Sequence, residues 1–142
     1  MSPRLSAFDD APRHRVLIVD DEESMRLFLA HILATTLKAE VTLAGTCEQA
    51  LRLAAQNAYD AILLDLLMPG IGGFEVLKEL RRASSNAATP VIIVSVLADA
   101  ATRSRCMSSG ANAYLVKPVE RNGLIATVQA QIAGRGLART AN

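Results

Sequence analysis

Five side chains able to do chemistry stand at the ends of short apolar runs. Asp20 and Asp21 follow Val16-Leu17-Ile18-Val19, Asp65 follows Ala61-Ile62-Leu63-Leu64, Ser95 closes Val91-Ile92-Ile93-Val94, and Lys117 follows Ala113-Tyr114-Leu115-Val116. If these runs are parallel strands of one sheet, their carboxyl ends share one edge, where open α/β sheets bind ligands. That edge then carries three carboxylates, a hydroxyl and an ammonium. Two carboxylates ~4 Å apart repel by about 4 kcal/mol at an effective dielectric of 20, so either one takes a proton or a cation sits among them. An all-oxygen donor set suits Mg²⁺, held by one or two carboxylates with several waters retained. Beside such a cation Asp65 stays ionised and can attack phosphorus, giving an aspartyl phosphate. The transferred group spreads its charge over three equatorial oxygens, and the cation, Lys117 and Ser95 offer one partner for each. Taken singly, each residue has a plainer reading. Asp20-Asp21 could be an acidic helix start, Asp65 a loop cap, Ser95 a polar strand end and Lys117 a surface residue before a turn. Their conjunction on four strand ends is what points to chemistry.

The elements that must position these groups follow from periodicity. Residues 16–19 are continuously apolar, as in a strand covered on both faces. Met25, Phe28, Leu29, Ile32 and Leu33 then recur at helical spacing, with His31 beside them. Val41-Thr42-Leu43 is a weaker strand, and Thr46 with Gln49 forms a capping box for a helix lined by Ala50, Leu51, Ala54 and Ala58. After the Asp65 strand, Met68-Pro69-Gly70 breaks the chain, and Gly72 or Gly73 opens a helix. That helix turns Phe74, Leu77 and Leu80 inward and Lys78, Glu79, Arg81 and Arg82 outward. Ser84 to Thr89 is a polar connection, and Pro90 leads into the 91–95 strand. The helix from Ala100 to Ser109 has a poor stripe of Ala101, Cys106 and Met107, ends at Gly110 as a C′ residue, and is expected to be the most mobile element. The last helix uses Leu124, Ile125, Val128 and Ile132, and Gly134 to Asn142 reads as a frayed tail. Five strands alternating with five helices give an α/β fold, a parallel sheet with helices on both faces.

Composition narrows the function classes. A chain of 142 residues reads as one domain, large enough to bury about 68–70% of its unfolded surface. Residues 1–13 are expected as a flexible tail, 14–133 as the domain and 134–142 as a second flexible tail. With 15 basic and 14 acidic residues the net charge is +1, which gives no bulk electrostatic support for direct nucleic-acid binding. Aromatics are 4% and Trp is absent, which argues against a stacking platform for single strands. Cys47 and Cys106 have no metal-ligand spacing and read as small apolar residues in a reducing compartment. No apolar run approaches the ~18–20 residues of a membrane span, and residues 1–12 lack a signal-peptide core. A cytoplasmic protein without membrane insertion is expected.

The residues quoted so far resemble the receiver domain of two-component response regulators over about residues 14–133. The matching motifs are Val19-Asp20-Asp21, Asp65 with Met68-Pro69 and Gly73, Ser95, and Lys117-Pro118. The resemblance implies a flavodoxin-like doubly wound (βα)5 fold with strand order 2-1-3-4-5. It implies phosphoryl transfer to Asp65 from a sensor histidine kinase or a histidine phosphotransfer protein. It implies Mg²⁺ bound by Asp21, Asp65 and the Leu67 backbone carbonyl, with Asp20 acting through water, and a cis Lys117-Pro118 peptide. It also implies a switch: the phosphoryl group draws the Ser95 hydroxyl inward, and Tyr114 turns from an exposed rotamer into the space left. Helix four, strand five and helix five then present a reshaped face to a downstream protein target. On this reading the protein is not an enzyme acting on a separate substrate. Its chemistry is self-catalysed acceptance and slow loss of its own phosphoryl group.

Four positions depart from the family pattern or tune it. Gly72 stands where an Asp is common, and Val96 follows Ser95 where a smaller residue is usual, narrowing access. Leu67 and Leu97, at two positions that tune hydrolysis, are both apolar, which predicts slow loss of phosphate. A phosphorylation-independent interaction module of receiver shape is the alternative, and the intact acid, Ser and Lys set argues against it. An aspartyl-nucleophile phosphatase would want a second acid two residues after Asp65, where Leu67 stands. A receiver working alone, passing phosphate along a relay or binding a target through its fourth-helix and fifth-strand face, is expected, with a piece of a larger regulator as the other reading.

Overall fold

The computed structural model describes residues 13–83 and 85–141; the expected tail over residues 1–12 and residue Asn142 lie outside them. Strands β1 (Arg15–Val19), β2 (Glu40–Ala44), β3 (Ala61–Leu64), β4 (Val91–Ser95) and β5 (Ala113–Val116) alternate with helices. These are α1 (Glu23–Thr36), α2 (Cys47–Gln56), α3 (Gly73–Ala83), α4 (Ala100–Ser108) and α5 (Arg121–Ala141). All strand pairs are parallel, in the order β2-β1-β3-β4-β5. This is the doubly wound, flavodoxin-like order expected from the resemblance.

The apolar strands are two-sided because each face has its own core. Leu17, Val19, Ile62, Leu64, Val91 and Ile93 pack with Ala50, Ala54, Val76, Leu77, Leu80 and Cys106 of α2, α3 and α4. The alternate strand residues Val16, Ile18, Leu63, Ile92 and Val94 pack with Leu29, Ile32, Leu33, Leu124 and Val128 of α1 and α5. Period-two alternation therefore still operates, with both faces apolar. Full burial of each such side chain contributes about 1.5–3 kcal/mol.

Several expected inward positions differ. Phe28 is exposed on α1, because Leu29, Ile32 and Leu33 already fill the stripe against the sheet. Ala58 is exposed beyond the end of α2, which stops at Gln56. On α4 only Cys106 is buried, while Ala101 and Met107 face out. Two arginines of α4 hold it instead: Arg105 stacks 3.7 Å from the Phe74 ring centroid and Arg103 lies 5.7 Å from that of Tyr114, both within cation–π reach. Arg81, expected to point outward, is half-buried; burial lowers its pKa, and it donates to the carbonyls of Gly110, Asn86 and Ala87. The last helix does not stop before Gly134 but runs on to Ala141. A single helical Gly costs only about 1 kcal/mol relative to Ala, and Arg135 Nη1 donates to the Tyr59 carbonyl at 2.7 Å.

Candidate functional site

The site grows from the point where the chain reverses direction across the sheet. β1 lies between β2 and β3, so successive connections leave in opposite directions and open a crevice at the carboxyl ends of β1 and β3. Val19 pairs with Leu64, and the Asp65 N–H donates to the Val19 carbonyl at 3.0 Å. Asp20 and Asp65 therefore leave neighbouring strands at the same level. β5 brings the third component: the Lys117 N–H donates to the Ser95 carbonyl at 2.8 Å, and the Lys117-Pro118 peptide is cis.

Lys117 bridges the two acids. Its Nζ lies 2.8 Å from Asp20 Oδ2 and 3.2 Å from Asp65 Oδ2. One oxygen from each of Asp20, Asp21 and Asp65 lies within 4.8 Å of the others. Asp20 and Asp65 are buried, whereas Asp21 is exposed. Asp65 Oδ1 accepts from the Leu67 N–H at 3.2 Å. Burial pushes the Asp65 carboxyl above its ordinary value, aided by the Asp20 charge, while the Leu67 N–H and Lys117 pull it down. For Lys117 burial acts to lower the pKa, but the bond to Asp20 and the charges of Asp65 and Asp20 outweigh it, and the net shift is upward. Lys117 thus stays a cation, and Asp65 is the group whose ionised form is only partly compensated against burial. One ammonium against three carboxylates leaves negative charge in excess, and the donors are hard oxygens around an open cleft of about 460 Å³ lined also by Leu67, Val96 and Glu22. These residues fit a small divalent cation.

Ser95 and Tyr114 lie behind this cleft. Ser95 is fully buried at the end of β4, and its hydroxyl accepts from the Leu97 N–H at 3.2 Å. Among the described residues this hydroxyl has no hydrogen bond to Asp20, Asp65 or Lys117. Tyr114 is not in the exposed rotamer that the resemblance implies. It is only 7% exposed, its hydroxyl donates to the Leu97 carbonyl at 2.6 Å, and Arg103 covers its ring. The aromatic surface buried this way and the satisfied hydroxyl together favour the inward position. Leu67 stands over the cleft, half-exposed, but Leu97, partly buried, packs against the core.

The response regulator receiver domain family matches residues 16–129. The chain belongs to that family. The sensory/regulatory protein RpfC of Xanthomonas campestris is 36% identical over 116 residues, covering 80% of this chain and 16% of that protein. Response regulator ArlR of Staphylococcus saprophyticus is 32% identical over 118 residues, 83% of this chain and 52% of that protein. The chain thus spans about half the length of ArlR and about a sixth of that of RpfC. Among solved structures, the receiver domain of sensor histidine kinase PA1611 from Pseudomonas aeruginosa superposes with a TM-score of 0.78 at 30% identity, covering 86% of this chain and 99% of that one. That structure has a magnesium ion coordinated in its active-site cleft. No helix among the described residues of this receiver is long and apolar enough to cross a membrane.

Proposed function

We propose that this receiver accepts a phosphoryl group on Asp65 from a phosphohistidine of a sensor kinase or phosphotransfer protein. Asp21, Asp65 and the Leu67 carbonyl would hold Mg²⁺ directly, with Asp20 acting through water. The cation supplies charge neutralisation for the transferring group. A carboxylate oxygen of Asp65 forms the new P–O bond while the P–N bond breaks, its electron pair leaving with the imidazole. Lys117, already bonded to Asp65 Oδ2, is placed to move onto a phosphoryl oxygen, and Ser95 can offer its hydroxyl once released from Leu97. The added charge of about −1.5 to −2 then shifts α4, β5 and α5 towards binding a downstream protein in the cytoplasm. The transfer is directed at the receiver itself, so the protein is not an enzyme with a separate substrate.

The observation that carries this reading is the Lys117 bridge between Asp20 and Asp65 in an acid-rich cleft open to solvent. The test is incubation with acetyl phosphate and Mg²⁺, followed by intact mass, with Asp65→Asn as the blank, and then rapid phosphotransfer from a panel of histidine kinases. Addition of one phosphoryl group to the wild type alone is expected. Equal labelling of Asp65→Asn, or none in either protein together with an unchanged amide spectrum under beryllium fluoride, would leave the phosphorylation-independent interaction module standing instead.

A further inference from the structure

Asp20 is held at every polar group it has. Its N–H donates to the Ala44 carbonyl at 3.1 Å, Oδ1 accepts from the Glu22 N–H at 2.9 Å, and Oδ2 accepts from Lys117 Nζ at 2.8 Å. The fourth bond comes from α1: Arg26 Nη1 donates to the Asp20 carbonyl at 2.8 Å. Asp21 is the opposite case. It is exposed, and among the described residues its carboxylate has no hydrogen-bond partner. The Asp20 carbonyl and the Asp21 nitrogen belong to one planar peptide. A bond that fixes this carbonyl therefore also fixes where Asp21 begins, and so where its carboxylate can reach.

Arg26 is half-buried and has no carboxylate within ion-pair distance among the described residues. Its guanidinium crosses Gly45, the residue after β2. A Cβ built on Gly45 would lie 3.0 Å from Nη1 and 3.3 Å from Cζ of Arg26, tighter than ordinary contact. β2 is the strand whose end brings no chemical group to the edge, yet its bare Gly45 leaves the path by which Arg26 reaches Asp20.

We infer that Arg26, seated against Gly45, is a positioning residue that sets the Asp20–Asp21 peptide so that both carboxylates are preorganised for a divalent cation. The inference rests on the metal-dependent reading of the cleft. Partners one layer outside a metal site typically change affinity by about 10–100-fold, and this one acts through the main chain.

The test is Mg²⁺ titration by calorimetry on the full chain, with thermal unfolding followed by circular dichroism. Arg26→Ala and Gly45→Ala are each expected to weaken Mg²⁺ binding about tenfold, at the low end of that range. The double variant is expected to bind no more weakly than Arg26→Ala, because both changes remove the same contact. Should Arg26→Ala fail to fold, Gly45→Ala carries the same expectation. Unchanged Mg²⁺ affinity in folded Arg26→Ala with a lowered melting temperature would reduce Arg26 to a structural staple and overturn the inference, as would additive weakening in the double variant. A wild type that takes no Mg²⁺ would instead remove the metal-dependent reading, and this inference with it.

Discussion

The Tyr114 hydroxyl donates to the Leu97 carbonyl across 2.6 Å, joining β5 to the loop that leaves Ser95. The ring therefore already occupies the inward place that the family resemblance associates with the phosphorylated form. The burial that favours this place raises the Tyr114 pKa above its ordinary 10.0, although the neighbouring Ser95 hydroxyl opposes the shift. A folded-state pKa raised above the unfolded one means that the native protein holds this proton longer. The advantage of wild type over Tyr114→Phe is then constant below pH 10 and shrinks as the pH climbs from there through the raised value. Urea unfolding of both proteins from neutral pH upward checks this; a difference that stays flat across that range would contradict it.

The two tyrosines should respond oppositely to loss of their hydroxyls. Tyr59 is buried, and among the described residues its Oη has no hydrogen-bond partner, so it carries a desolvation cost without return. Tyr114 has its bond to Leu97. Tyr59→Phe is expected to be neutral or to stabilise by up to about 1 kcal/mol, and Tyr114→Phe to cost about 0.5–1.5 kcal/mol. The Tyr59 ring, which Arg15 covers at 5.5 Å, is retained in the variant. Equilibrium denaturation midpoints decide the order.

The contrast between strands and α4 explains what was legible in the sequence. A strand such as Val91–Ser95 is buried at every position, so its apolar run alone locates it. The residues that close the strands are set by connectivity once the sheet is parallel, and so Asp20, Asp65 and Lys117 could be placed at one edge before any coordinates. α4 has a single buried residue and is held by Arg103 and Arg105 on aromatic faces, contacts that leave no apolar period to read. Asn86 and Thr89, in what reads as a polar connection, are buried and bonded to the Tyr59 backbone. The Arg26–Gly45 contact was hidden for the same reason: it joins residues from different elements, and neither residue type announces it.

Leu67 and Leu97 separate in the structure, and so should their variants. Leu67 stands at the cleft and is 51% exposed, so a polar side chain there can orient a water towards the phosphoryl group. Leu97 is partly buried and packs against the core. Leu67→Asn is expected to shorten the phosphoryl lifetime, by up to about 10²-fold for a well-placed group, from a wild-type value well beyond seconds. Leu97→Asn is expected to act chiefly on stability. Decay of the labelled protein after removal of the donor measures both, and a wild-type lifetime of seconds would show that water is already oriented.

Gly72 and Gly73 are adjacent but restrict substitution for different reasons. Gly72 has φ +85° and open space around the position of a Cβ, so Gly72→Ala is expected to cost about 1–2 kcal/mol of backbone strain and little activity. Gly73 has no such φ, but a Cβ there would lie 2.5 Å from the Asp65 carbonyl oxygen and 2.6 Å from Leu66 Cα. Both are main-chain atoms that cannot swing aside, so relief requires the Asp65–Leu66 backbone to move. Gly73→Ala is therefore expected to cost about 1–3 kcal/mol, as overpacking does, and also to slow phosphorylation of the folded protein, because the displaced backbone carries the proposed acceptor. Rates of labelling by acetyl phosphate, measured where circular dichroism shows both variants folded, distinguish the two. If Gly73→Ala labels as fast as Gly72→Ala, the loop has room that the contact distances deny, and the Asp65 carboxylate is not held by the backbone behind it.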